Sequence, residues 1–126
     1  MKSLVACLLL GIVLMQPAAA DTSEPVMTAA ELQQLCLASD TTSKNVCRVY
    51  ILGVTQGLAL GLEVADGKSP LGRPCVPGTV SADSLAESLK SRIDKALAAS
   101  PKERDVDAAK FIASLAASAY PCRKTP

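Results

Sequence analysis

The sequence predicts an all-α protein, a small four-helix, disulfide-stapled domain that follows an N-terminal signal peptide. Three observations predict it. No stretch alternates apolar and polar residues over the length of a strand. Four segments carry apolar residues at helical spacing behind cap residues. Four of the five cysteines lie beyond an export-type leader.

The leader spans residues 1–20. Lys2 gives a short positive start, Leu4 to Met15 form the apolar run, and Ala18-Ala19-Ala20 supplies a small-residue cleavage site, so the mature chain is expected to begin at Asp21. Leu4-Val5-Ala6-Cys7 has the outline of a lipobox, but most of the apolar run follows that cysteine, which argues against a lipid anchor. The run is also shorter than the roughly 20 apolar residues that a spanning helix needs.

Residues 21–27 mix Ser, Glu and Pro without periodicity and read as a flexible arm. Thr28 then opens the first helix, and Glu31 three positions on completes a capping box in which each side chain satisfies the other's free backbone N–H. Leu32, Leu35 and Cys36 share one face of it. The polar run from Ser39 to Ser43 ends this helix and offers Thr42 or Ser43 as the next cap.

The second helix is expected from about Asn45 to about Ala65. Val46, Tyr50, Val54, Leu58 and Leu62 form one line at spacing four, while Ile51 and Leu52 add apolar surface elsewhere, and a helix apolar nearly all round is expected to be buried. Gly53, Gly57 and Gly61 repeat at the same spacing. Each costs about 0.8 to 1 kcal/mol relative to Ala inside a helix, so the ridge implies close packing, either in the core or as a self-association surface. Arg48, Gln56 and Glu63 interrupt the run and argue against a membrane helix.

From Asp66 to Gly78 the composition turns to Gly and Pro, with Gly67, Pro70, Gly72, Pro74, Pro77 and Gly78, and reads as an irregular connector that Cys75 can tie down. Ser81 caps a third helix from about Ala82 to Ala98. Its apolar line Leu85, Leu89, Ile93 and Leu97 stands opposite Glu87, Lys90, Asp94 and Lys95. Ser100-Pro101 ends it. The charged turn Lys102-Glu103-Arg104-Asp105 leads into a last helix from about Val106 to Tyr120, with Phe111, Ile112, Leu115 and Ala119 inward. Pro121 stops this helix just before Cys122, and residues 123–126 are a short tail.

Four cysteines, Cys36, Cys47, Cys75 and Cys122, remain in the mature chain, and an even number in a short exported protein argues for disulfides. Zinc is disfavoured because the chain has no C-x-x-C pair, so no metal or cofactor is expected. Sequence alone allows three connectivities. Helix geometry prefers Cys36 with Cys47, across a tight hairpin of the first two helices, which leaves Cys75 with Cys122 to fasten the connector to the C-terminus.

Charge and composition exclude several functions. The chain has 13 basic and 12 acidic residues, and losing Lys2 with the leader makes the two equal, which removes any electrostatic case for nucleic acid or an anionic membrane. One Phe, two Tyr and no Trp leave no stacking platform for single strands. There is no His, so Ser-His and Cys-His nucleophile pairs are absent. The acidic pairs Asp105 with Asp107 and Asp83 with Glu87 sit at helix starts or on solvated faces, where the helix dipole accounts for them. No enzymatic activity is expected.

Several of these residues form a spaced pattern: Cys36 on a Leu-rich helix, Cys47 followed by Tyr50-Ile51-Leu52-Gly53, Cys75-Val76-Pro77 leading into a helix, Ser100-Pro101, and an Ala-rich helix closing on Tyr120-Pro121-Cys122. From about Glu31 to Cys122, within a helical domain expected over residues 28–122, this pattern resembles the Rap/Tai family of immunity proteins. The resemblance implies a periplasmic helical homodimer that binds and occludes a peptidoglycan amidase delivered by type VI secretion. It departs from the family pattern in its Gly and Pro excess from Gly67 to Pro74 and in the placement of small residues in the second helix. Physical candidates for partner contact are the two connectors, with Asp66, Lys68, Ser69 and Arg73 in one and Lys102, Glu103, Arg104 and Asp105 in the other. The alternative reading is a periplasmic stress factor, holdase or accessory protein of the same fold with no toxin partner.

Overall fold

Capping dictates where the first helix begins. Thr28 lies in extended backbone and its hydroxyl accepts the Glu31 N–H at 3.3 Å, while the Glu31 carboxylate accepts the Thr28 N–H at 2.7 Å. The expected capping box is therefore formed, and α1 runs over Ala29–Leu37 with Ala29, Leu32 and Cys36 buried. The computed structural model describes residues 25–64 and 74–122. The leader 1–20, residues 21–24 of the arm, residues 65–73 of the connector and the tail 123–126 lie outside the described residues.

The second helix, α2, spans Thr41–Val64 and starts a turn earlier than its apolar pattern indicates. Its cap is Asp40, whose carboxylate accepts the Ser43 N–H at 2.8 Å. Thr42 and Ser43, the expected caps, instead occupy the first turn. The helix is also rotated from expectation. Its buried positions are Cys47, Ile51, Thr55 and Leu62, and of the expected inward line only Leu62 is fully buried, with Val46 42% exposed. Cys47 is what sets this rotation, because its bond to Cys36 pins that side of α2 against α1. Thr55 is tolerated inside because its hydroxyl donates back to the Ile51 and Leu52 carbonyls, at 3.0 Å each.

The third helix, α3, covers Ala82–Ala99, with the Ser81 hydroxyl accepting the Ser84 N–H at 3.1 Å. Its apolar line is as expected: Leu85, Leu89, Ile93 and Leu97 are all buried, and Ala86 joins them. The charged turn after Ser100 is a 3-10 helix, Pro101–Asp105, started by the proline. The last helix, α4, spans Ala108–Ala119. It begins two residues later than expected because Asp107 caps it, accepting the Ala109 and Lys110 N–H groups at 3.0 and 3.1 Å. Its buried residues are Ala108, Phe111, Ile112, Ala113 and Ala116, whereas Leu115 and Ala119, expected inward, are half-buried.

All four helices contribute to one core, centred on Leu32, Ile51, Leu89, Ile93 and Ile112. Two disulfides fasten it in the preferred connectivity. Cys36–Cys47 joins α1 to α2 with Cα atoms 5.1 Å apart, and Cys75–Cys122 joins the connector to the end of α4 with Cα atoms 4.8 Å apart. In the loop-entropy picture these closures contribute about 3 and about 4 kcal/mol, a large share of the roughly 5–15 kcal/mol that holds a domain folded. Among the described residues there is no strand. Two isolated antiparallel bridges occur instead, Thr28 with Asp107 and Pro74 with Pro121.

Candidate functional site

The four charged residues of the 3-10 turn stand at the surface, with Lys102, Arg104 and Asp105 exposed and Glu103 half-buried. Arg104 has an internal task. Its guanidinium donates to the Gln33 side-chain Oε1 at 3.1 Å, and the Gln33 side-chain Nε2 donates to the Asp94 carboxylate at 2.7 Å. This polar clip fixes the turn to α1 and α3, so the exposed side chains project from a held backbone rather than a loose loop. Asp66, Lys68, Ser69 and Arg73 of the other connector lie outside the described residues.

The described end of the Gly/Pro connector and the 3-10 turn lie at opposite ends of α4. Pro74, the described end of the Gly/Pro connector, bridges Pro121 at the C-terminal end of α4, whereas the 3-10 turn feeds the N-terminal end of the same helix. Twelve helical residues separate those ends by about 18 Å. Partner contact through both anchor points would need a broad surface.

A second surface runs along α2. Thr42, Val46, Val49, Gly53, Gly57 and Leu60 recur at spacings of three and four, and every one of them is exposed, with Val49 at 62% and Leu60 at 64%. A Cβ built on Gly53, Gly57 or Gly61 would meet nothing within 4 Å. Among the described residues no element of this chain packs on the glycine ridge, because the rotation of α2 turns the ridge to solvent. The face carries no charge from Thr41 to Leu62. At 100° per residue Lys44 and Arg48 fall about 180° and 140° away from Gly53, and Arg48 is bound to Asp83 of α3, its Nε donating to the carboxylate at 2.8 Å. By length and composition α2 is apolar enough to cross a membrane, yet only 22% of its most apolar stretch is buried within the chain. At the start of this face Thr42, Asn45, Val46, Val49 and Tyr50 line a shallow hollow of about 440 Å³.

Tyr50 borders both the hollow and the core. Burial, and then the negative charge of Asp107, push its phenol above the ordinary value of 10.0. The Glu31 and Asp40 carboxyls are shifted the other way, each held below its ordinary value first by a backbone N–H, from Thr28 and Ser43 respectively. These are capping effects. The acidic pairs weighed as catalytic have such structural roles too, since Asp107 caps α4 and Asp83 is paired with Arg48. Among the described residues no three metal-ligating side chains come together.

The sequence pattern missed the outward α2 face. Its signal was present in the alternating three-and-four spacing from Thr42 to Leu60, hidden by an equally apolar line one residue away. A family model described as Rap1a immunity proteins matches residues 28–122. No curated protein and no solved structure matches the chain.

Proposed function

The chain belongs to the Rap1a immunity protein family, and on that premise we propose that it neutralises a peptidoglycan amidase delivered by type VI secretion by binding it and occluding its catalytic cleft. The family match over residues 28–122 carries this reading. Immunity by occlusion requires no chemistry from the inhibitor, in keeping with a chain that has no His, in which Glu31 and Asp107 serve as caps and Asp83 and Glu87 stand in ion pairs. It requires instead a surface that is ordered before the partner arrives, because each side chain immobilised on binding costs affinity. The two disulfides and the Gln33–Arg104–Asp94 clip supply that order.

Amidases of this kind act on the cell wall, so the same reading has residues 1–20 direct export and be cleaved after Ala20, with the mature chain working in the periplasm. N-terminal sequencing of the exported protein tests that step. We further propose that the chain is a homodimer joined through α2. A second copy is the occupant that suits an uncharged, apolar face whose exposed glycines permit close backbone approach. The toxin would then meet the remaining surface, with Lys102, Glu103 and Asp105, and Asp66, Lys68, Ser69 and Arg73 of the connector, as contact residues.

The exposed Val46, Val49 and Leu60 also favour a second reading, a holdase that uses this face for unrelated clients. A pull-down with the mature chain separates the two. Specific recovery of an amidase encoded beside this protein, and protection against that toxin alone, supports immunity. General suppression of aggregation with no hydrolase recovered supports the holdase.

A further inference from the structure

The two disulfides differ in access. Cys36 and Cys47 are 4% and 1% exposed, and a narrow hollow of about 160 Å³ that reaches Cys36 is rimmed by Glu87, Lys90 and Asp94. An incoming thiolate meets the Glu87–Lys90 ion pair and the Asp94 carboxylate there, a rim of net negative charge around a space too small for a protein surface. Cys75, in contrast, is exposed and Cys122 half-exposed. Beside Cys75 lies an open groove of about 590 Å³ between α2 and the connector, lined by Thr55, Gln56, Ala59, Val76 and Leu85, with no charged side chain in its lining among the described residues. Cys75 lies between Pro74 and Pro77, beside the Pro74–Pro121 bridge, and its backbone is tied to α4 by the Cys75 N–H donating to the Tyr120 carbonyl at 2.7 Å.

We infer that Cys75 is a thiol-exchange site, at which a dithiol oxidoreductase or a small dithiol opens the Cys75–Cys122 bond in the folded protein while Cys36–Cys47 stays closed. A thiolate of the reductant attacks Cys75 Sγ, the Cys75–Cys122 bond breaks, and Cys122 Sγ departs with the electron pair and takes up a proton. The reductant's second thiolate then attacks its own sulfur in the mixed disulfide and releases Cys75 as a thiolate, which is protonated. The protein gains two electrons and two protons, and the reductant leaves as a disulfide. Exposed disulfides are the ones that exchange, because attack requires the nucleophile to approach in line with the S–S bond.

The consequence is local. Opening this bond removes the covalent tie between Cys75 and the end of α4, where the Cys75–Tyr120 hydrogen bond and the Pro74–Pro121 bridge also act, while the α1–α2 hairpin and the core keep their own staple. The connector becomes a segment whose hold on the bundle depends on redox state.

The oxidised, folded protein incubated with dithiothreitol, sampled over time, alkylated and mapped by peptide mass spectrometry, tests this. Cys75 and Cys122 are expected to label at least about tenfold faster than Cys36 and Cys47, whose labelling should await denaturant. Equal rates, faster labelling of Cys36 and Cys47, or no labelling of either pair without denaturant would overturn the inference. Amide exchange on the selectively reduced sample adds a second readout. The Cys75 amide should lose protection while those of Ala29 and Ala108 keep theirs, and an unchanged Cys75 amide would show that the bond does not govern the connector.

Discussion

Thr28 and Asp107, the cap residues of α1 and α4, face each other across an antiparallel backbone bridge. The Ala29 N–H donates to the Val106 carbonyl and the Ala108 N–H to the Met27 carbonyl, both at 2.9 Å. Each helix start thus satisfies the other's first free N–H, while the cap side chains take the next ones. The two helices enter the core side by side as one unit.

Replacing Asp107 tests this clasp. Asp107→Ala leaves two N–H groups of α4 without their acceptor and should cost about 1–2 kcal/mol, whereas Asp107→Asn, which retains a side-chain oxygen, should cost much less. Urea unfolding measures both. Equal losses would mean that the cap does not hold α4.

Stability should fall at both ends of the pH range, for opposite reasons. Glu31 and Asp40 sit below their ordinary values of 4.5 and 3.8 in the folded protein. Their contribution is present above those values and is lost as pH falls through the lower folded ones. The Glu31→Gln, Asp40→Asn double variant should therefore show a shallower acid limb. Tyr50 is raised above 10.0, so its contribution is complete below that value and declines as pH rises through the higher folded one. Tyr50→Phe should flatten part of the alkaline limb. Thermal melts across pH, compared with the parent chain, check both signs.

Much of this fold is legible in the sequence where local chemistry is unambiguous. Thr28 with Glu31, and Ser81 alone, mark helix starts directly, and α3 shows its inward face because charges occupy the other side. The helix α2 is harder to orient. Both Val46–Tyr50–Val54 and Cys47–Ile51–Thr55 are plausible inward lines, and only the tie from Cys47 to Cys36 chooses between them. Asp107 was obscured by Val106 and Asp105, which extend the apparent helix backwards. Part of the candidate site was readable as exposed charge in the 3-10 turn. The engagement of Arg104 with Gln33, 71 positions away in the chain, is a tertiary fact that no local pattern carries.

The disulfides should contribute unequally. Cys122→Ser is expected to lower thermal stability under oxidising conditions by more than Cys36→Ser, by about 4 against about 3 kcal/mol, since it opens the longer loop. Circular-dichroism melts provide the comparison. An unchanged melting temperature for Cys122→Ser would contradict the stapling role.

The outward face of α2 should set the oligomeric state. Val49→Glu places a charge in the middle of the uncharged stripe without touching the core, so it is expected to convert a dimer to a monomer while helix content and melting behaviour are retained. Light scattering after size exclusion reads the mass. A parent chain that is monomeric at high concentration, or a variant that remains dimeric, would remove α2 as the self-association surface.

The most direct measurement is peptidoglycan hydrolysis by a cell-wall amidase that co-purifies with this protein, titrated with the oxidised chain from Asp21 onward. Hydrolysis should fall to background as the chain reaches equimolarity with the enzyme, with the complex recovered intact on size exclusion. Full hydrolysis in the presence of excess chain would contradict inhibition by occlusion.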